Sequence, residues 1–157
     1  MRIILILLLY ALLFNTSLSM ANEEANKLGN EGILLIQKGK IDAGLDLMKQ
    51  ATQISPDDAS WHMNYGSMLF TKGQQIFQSG NKQDADGVLK EAEEELLLAV
   101  DLFKTNDFML ISQCYFLIGD IYFYAYSNKN QAKIFYQKSL GYYPEHGGAI
   151  EAMKRYQ

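Results

Sequence analysis

Gly32 and Gly66 stand 34 residues apart, each inside apolar residues at helical spacing. A period of that length confines the chain to repeated helix–turn–helix units, which bury their apolar faces by stacking on neighbours. The segment KGKIDAGLDLMKQATQISP, residues 38–56, follows the first glycine, and WHMNYGSMLFTKG surrounds the second. Such a stack offers surface rather than reaction chemistry.

The N-terminus reads as a leader separate from that stack. Arg2 gives a short positive start, Ile3 to Phe14 are apolar, and NTSLSMA ends in small residues at Ser19 and Ala21. An apolar helix of that length reaches ~18 Å, short of the ~30 Å hydrocarbon core. A signal peptide spanning 1–21 and cleaved near Ala21 is therefore expected, rather than an anchor. No other segment is expected to span a membrane.

Residues 22–157 suffice for one domain with a core. The chain carries 14 basic and 18 acidic residues, net −4. No basic stripe marks it for nucleic acid. Cys114 is the only cysteine, so there is no internal disulfide framework. It lies far from the leader, which excludes lipid attachment there. In QCYFLIG it is expected to act as a small buried hydrophobe, and no basic neighbour supports a reactive thiol.

Three helix pairs follow from the periodicity. The first is expected over Glu23–Lys38 and Ile41–Ile54, with Gly39 at the turn and Pro56 after it. Leu28, Leu35 and Ile36 share one face; Leu45, Met48, Ala51 and Thr52 share another. The second begins near Ala59, after Asp57 and Asp58, and continues past Gly73 to Phe77. A polar loop is expected over Ser79–Gly87, then a return helix from Val88 to Phe103 packing through Ala92, Leu96 and Ala99. The third runs from Phe108 to about Tyr126, capped by Asn106 or Asp107, and returns over Gln131–Tyr142 before Pro144. A short helix over Ala149–Tyr156, with Glu151, Lys154 and Arg155 outward, would cap the open end.

These residues resemble the tetratricopeptide repeat pattern W-x2-L-G-x2-Y, A-x3-F, P. The first copy reads Leu28, Glu31, Gly32, Leu35, Gly44, Met48 and Pro56. The second reads His62, Tyr65, Gly66, Leu69, Ala92 and Leu96, with Lys104 in place of proline. The third reads Tyr115, Ile118, Gly119, Tyr122, Ala132, Tyr136 and Pro144. A Sel1-type repeat competes for NQAKIFYQKSL, but Pro144 and the first period favour the tetratricopeptide form. The resemblance implies an all-α solenoid of three repeats, about 25–58, 59–106 and 107–146, with a cap helix over 147–157.

It further implies a concave surface lined by the first helix of each pair. By position these residues are Asn26, Ile33, Ile36 and Gln37, then Met63, Ser67, Phe70 and Thr71, then Phe116, Asp120, Phe123 and Tyr124. Relatives that grip a chaperone's C-terminal carboxylate place lysines, arginine and asparagine in such surfaces. The corresponding positions here are Gly29, Ile33 and Thr71, which supply no cation.

Reaction chemistry finds little support. His62 and His146 have no second His or Cys at zinc-ligand spacing, and neither G-x-S-x-G nor HExxH occurs. Asp84, Asp86, Gly87 and Glu93 partly imitate a calcium loop, yet Lys82 holds the first ligand position. Glu91 and Glu93–Glu95 read as a solvated face or as an acidic docking patch. Among Tyr115, Phe116, Tyr122, Phe123, Tyr124 and Tyr126, consecutive rings wrap the helix, so some must leave the core.

The sequence thus points to a non-enzymatic adaptor without metal or cofactor, binding a peptide or protein through an apolar–aromatic groove. Its expected place is the bacterial periplasm or the exterior, an inference from resemblance to exported bacterial stacks. A homo-oligomerising module is the alternative, and a small-ligand carrier or enzyme stands behind both.

Overall fold

A computed structural model describes the backbone of residues 2–157 and the side chains from residue 19 onward. The leader expected over 1–21 therefore falls mostly outside the described side chains. Seven helices are present among the described residues: α1 (Arg2–Gln37), α2 (Ile41–Ile54), α3 (Ala59–Gln78), α4 (Lys82–Leu102), α5 (Phe108–Asp120), α6 (Lys129–Tyr142) and α7 (Gly147–Met153). A π turn, Ile121–Ala125, extends α5, and a 3-10 turn, Lys154–Tyr156, extends α7. The backbone of α1 continues unbroken through the point where a helix start was expected at Glu23.

The chain separates into two compact units at Pro56–Asp57. The first holds the hairpin of α1 and α2. Its three-residue connection turns at Gly39, whose φ of +78° suits a residue without a Cβ. The helices then approach so closely at Gly32 that a Cβ there would lie 2.7 Å from the Gly44 carbonyl oxygen and 2.8 Å from Met48 Cγ. Ala25, Leu45, Met48 and Ala51 are buried along this seam. Ser55 Oγ donates to Asn22 Oδ1 at 3.0 Å and ties the far ends together.

The second unit contains the pairs α3–α4 and α5–α6 followed by α7. The small-residue contact recurs in both pairs. A Cβ at Gly66 would meet Leu96 Cγ at 2.9 Å and the Ala92 carbonyl oxygen at 3.1 Å, and one at Gly119 would meet the Tyr136 ring at 2.6 Å. Asp58 caps α3 by accepting from the Ser60 amide at 2.9 Å, and Asn128 caps α6 through the Gln131 amide at 3.1 Å. Asp107 stands before α5, but its carboxylate accepts from the Lys104 amide at 3.0 Å. Ser112 and Ser139 are both fully buried, and Ser112 Oγ donates to the Ser139 carbonyl at 2.9 Å.

The expected loop over Ser79–Gly87 is instead mostly helix. Only Ser79, Gly80 and Asn81 connect α3 to α4. Asn81 Oδ1 accepts from the Asp84 amide, and Ala85 and Leu89, one turn apart, are buried against α3. Burial of that apolar spacing outweighs the polar composition of NKQDADG, so the extra residues lengthen both helices.

Phe108–Ala125 is, among the described residues, one helical stretch long and apolar enough to cross a membrane by length and composition. The sequence reading overlooked it. In this fold its Ile111, Cys114, Leu117, Ile118 and Ile121 are buried within the second unit, as in a core helix.

Candidate functional site

The extension of α3 beyond Gly73 creates the feature of most functional interest. Phe70, Gln74, Phe77 and Gln78 share one face of α3 at spacings of four, three and one. They line a cavity of about 430 Å³ with Leu89 of α4 and Asp120, Ile121, Tyr124 and Ala125 from the end of α5 and its π turn. Leu89 reaches its place by packing where a Gly73 side chain would be, 2.5 Å from the position of an added Cβ.

The π turn sends its three consecutive rings to different surroundings. Tyr122 stacks on Phe135 with centroids 5.2 Å apart and donates to Glu93 at 2.8 Å. Phe123 meets Tyr124 edge-on at 4.9 Å. Tyr124, 46 % exposed, joins the cavity wall. Insertions of π geometry in α-helices are frequent where side chains are re-aimed for function.

Asp120 is the polar centre of this region. Its Oδ1 accepts from Tyr136 Oη at 2.8 Å. Burial pushes its carboxyl above the ordinary aspartate range, opposed by the Tyr136 hydrogen bond and by the charges of Arg155 and His146. Arg155 lies over Phe123 at 4.7 Å and over Tyr124 at 5.6 Å, and its Nη2 donates to Tyr124 Oη at 3.0 Å.

Of the residues expected to line the groove, the cavity gathers Phe70, Asp120 and Tyr124. Met63 and Ser67 are half-buried on α3, with Ser67 Oγ donating to the Met63 carbonyl; Thr71 is exposed and donates to the Ser67 carbonyl. Phe116 lies against the cap: its ring is 4.8 Å from the His146 ring and would meet a Gly148 Cβ at 2.8 Å. Phe123 lies beneath Arg155. In the first unit Asn26 and Gln37 are exposed, Ile33 is half-buried, and Ile36 packs over Gly44. Sequence reasoning missed Gln74, Phe77, Gln78, Leu89, Ile121 and Ala125. Repeat positions stop at Thr71, whereas the face of Phe70 continues along the lengthened helix.

The remaining candidates have structural roles. Glu91 accepts from Tyr65 at 2.8 Å, Glu95 faces His62 Nδ1 at 2.6 Å, and Glu93 holds Tyr122. Three of the four acids therefore serve packing rather than a solvated or docking face, while Glu94 is exposed beside Lys90. Asp84, Asp86 and Gly87 lie on α4, so the resemblance to a calcium loop is lost; no group of three or more metal-binding side chains occurs among the described residues. His146 caps α7 by accepting from the Ala149 amide at 3.1 Å, which leaves Nε2 to donate to Gln113 at 2.9 Å. Burial pushes the Cys114 thiol up to about 12, away from reactive thiolate behaviour.

Helix pairs in register, each closed by a small-residue contact on the first helix, with a short helix at the end, define the architecture. The fold is that of a tetratricopeptide-repeat domain. The chain superposes on the first TPR of Spaghetti (RPAP3), a structure bound to the HSP90 peptide SRMEEVD, with a TM-score of 0.64 and 20 % identity over 85 % of this chain and 90 % of that one. It also superposes on the N-terminal domain of stress-induced protein-1 (STI-1) from C. elegans, with a TM-score of 0.70 and 12 % identity over 87 % and 98 %. No protein-family model matches the sequence, and no curated protein matches it.

Proposed function

We propose that this chain is a non-enzymatic adaptor that holds a peptide or protein partner in the α3–α4–π-turn cavity, in the bacterial envelope or outside the cell. The cavity carries this reading. It is about 430 Å³, within the range of small-ligand and side-chain pockets, and aromatic and aliphatic groups surround a few polar ones. A solved tetratricopeptide domain of the same fold holds a peptide, and a peptide side chain is the natural occupant of such a recess. The leader-like composition of residues 1–21 supports export.

The test is selection of random peptides displayed on phage against the full chain, beside an Ala125→Trp variant. Ala125 is half-exposed at the cavity wall, so the indole fills the recess with little demand on the core. Peptides recovered by the parent and lost by a variant of unchanged helical signal support the reading. Equal recovery by both places binding elsewhere and overturns it.

Self-association is favoured by a different observation. Phe108 and Met109 are 51 % and 61 % exposed, and Phe108 borders a trough with Lys138, Gly141 and Tyr142. Sedimentation at rising concentration would reveal a mass increase that Phe108→Asp abolishes; a constant mass removes this alternative.

A further inference from the structure

Resting on the peptide-binding reading above, we propose that the cavity selects a basic side chain. A lysine or arginine of the partner lays its aliphatic stem between Phe70, Phe77 and Tyr124 and brings its cationic head to Asp120.

Charge complementarity decides the occupant. Asp120 is the one carboxylate among the nine lining residues, and no lysine, arginine or histidine lines the cavity with it. Tyr136 donates to one of its oxygens, and among the described residues no other hydrogen bond to that carboxylate is found. A partner carboxylate would meet Asp120 with no cation in the lining. A purely apolar side chain would remove water from Asp120 and return nothing to it. A cation with an apolar stem satisfies both walls and floor.

The surrounding rings favour the same choice. Phe70, Phe77 and Tyr124 supply aromatic lining, and a cation over an aromatic face is attracted by the ring quadrupole. The chain itself uses that affinity at the rim. Lys82 Nζ stands 5.5 Å from the Phe77 ring centre, and the Arg155 guanidinium covers Phe123 and Tyr124. Both cations are exposed and neither lines the cavity, so solvent weakens their repulsion of a bound cation, although the Arg155 charge does reach Asp120. Gln74 and Gln78, one turn apart on α3, add amide oxygens that accept from an ammonium or guanidinium. The burial that raises the Asp120 carboxyl marks a charge that its present neighbours compensate only in part.

Peptides from the selection described above provide the probe. Lysine or arginine should be enriched among sequences that Ala125→Trp fails to retain. One such peptide is then synthesised beside a copy carrying norleucine for its lysine, which keeps the stem and removes the charge. The norleucine copy should bind the parent about tenfold more weakly or worse, as loss of a charge-assisted contact implies. Asp120→Asn retains an acceptor for Tyr136, and in it the two peptides should bind alike. Equal binding of the two by the parent, a difference that persists in Asp120→Asn, or enrichment of acidic or purely apolar sequences would each overturn the basic-side-chain assignment while leaving peptide binding intact. Failure of the parent to retain any peptide lost by Ala125→Trp would instead remove the peptide-binding reading, and this inference with it.

Discussion

The hairpins α1–α2 and α3–α4 share one contact and differ in what lies beyond it. In each, a glycine on the first helix meets the return helix: Gly32 against Gly44 and Met48, Gly66 against Ala92 and Leu96. The first hairpin turns at Gly39, soon after that contact. The second continues to Gly80, adding a second close approach at Gly73 and Leu89. Gln74, Phe77 and Gln78 lie on this added length and line the cavity together with Phe70. The shared contact sets the pairing of helices, and the added length supplies a place to bind.

That division can be broken most forcefully at the shared contact. Gly66→Val and Gly32→Val should each destabilise their hairpins by about 3 kcal/mol, the upper range for overpacking against backbone and core. Urea unfolding should show comparable losses. A tolerated Gly66→Val would mean that the second hairpin is held mainly by its extension.

A smaller effect is expected where the second hairpin is joined to α5. Tyr122→Phe leaves Glu93 without that donor and should destabilise by about 1–2 kcal/mol. Burial, then Glu93, pushes the Tyr122 hydroxyl up to about 12 from an ordinary value of 10. The folded state therefore retains this proton longer than the unfolded chain. The associated stability is present below pH 10 and is lost as pH rises towards about 12. Alkaline titration followed by circular dichroism should show a shallower loss in the variant; identical curves would assign the alkaline response to other groups.

Smaller again is Gly73→Ala at the extension. Its Cβ meets Leu89 methyl and methine carbons rather than backbone. Leu89 can yield, and alanine's helix propensity offsets part of the strain, leaving about 1 kcal/mol of destabilisation. Because Leu89 lines the cavity, the same change should weaken peptide binding more than Gly32→Val does in a folded sample. Equal effects would disconnect the extension from binding.

The smallest effect has the opposite sign. Asp120 has a raised folded pKa, so its ionisation disfavours the folded state as pH rises from the acid range. Asp120→Asn should raise thermal stability slightly at neutral pH while removing discrimination for a basic peptide. A fall in melting temperature would instead mark the carboxylate as a structural necessity.

Much of the pairing was legible because a helix contact leaves a local trace. Gly32, Gly66 and Gly119 stand at equivalent positions, and the apolar spacing around them gave the α2 limits and the start of α3 correctly. The start of α4 was hidden because Lys82–Gly87 is polar, while the two residues that decide it, Ala85 and Leu89, gain their burial only against α3. The acids of α4 were misread for a related reason. A carboxylate facing a tyrosine 26 or 29 residues away looks, in one dimension, like one facing water. Of the cavity lining, Asp120 and Tyr124 stand at repeat positions, but Gln74 and Gln78 do not, since repeat positions carry no instruction for the added turns. Nothing in the aromatic run announced the π turn that separates the directions of Tyr122, Phe123 and Tyr124.

The alternating acids of α4 carry a consequence for how this molecule can change length. Glu91 and Glu95 are fastened to α3, and Glu93, on the other side, to the π turn that extends α5. They index the helix like teeth engaged with two racks at once. One residue inserted between them would turn everything downstream by about 100° and disengage both. Residues added at the Ser79–Asn81 connection disturb neither rack. The second hairpin is free to grow or shrink at its tip, where the proposed recess lies, while its middle is fixed in register.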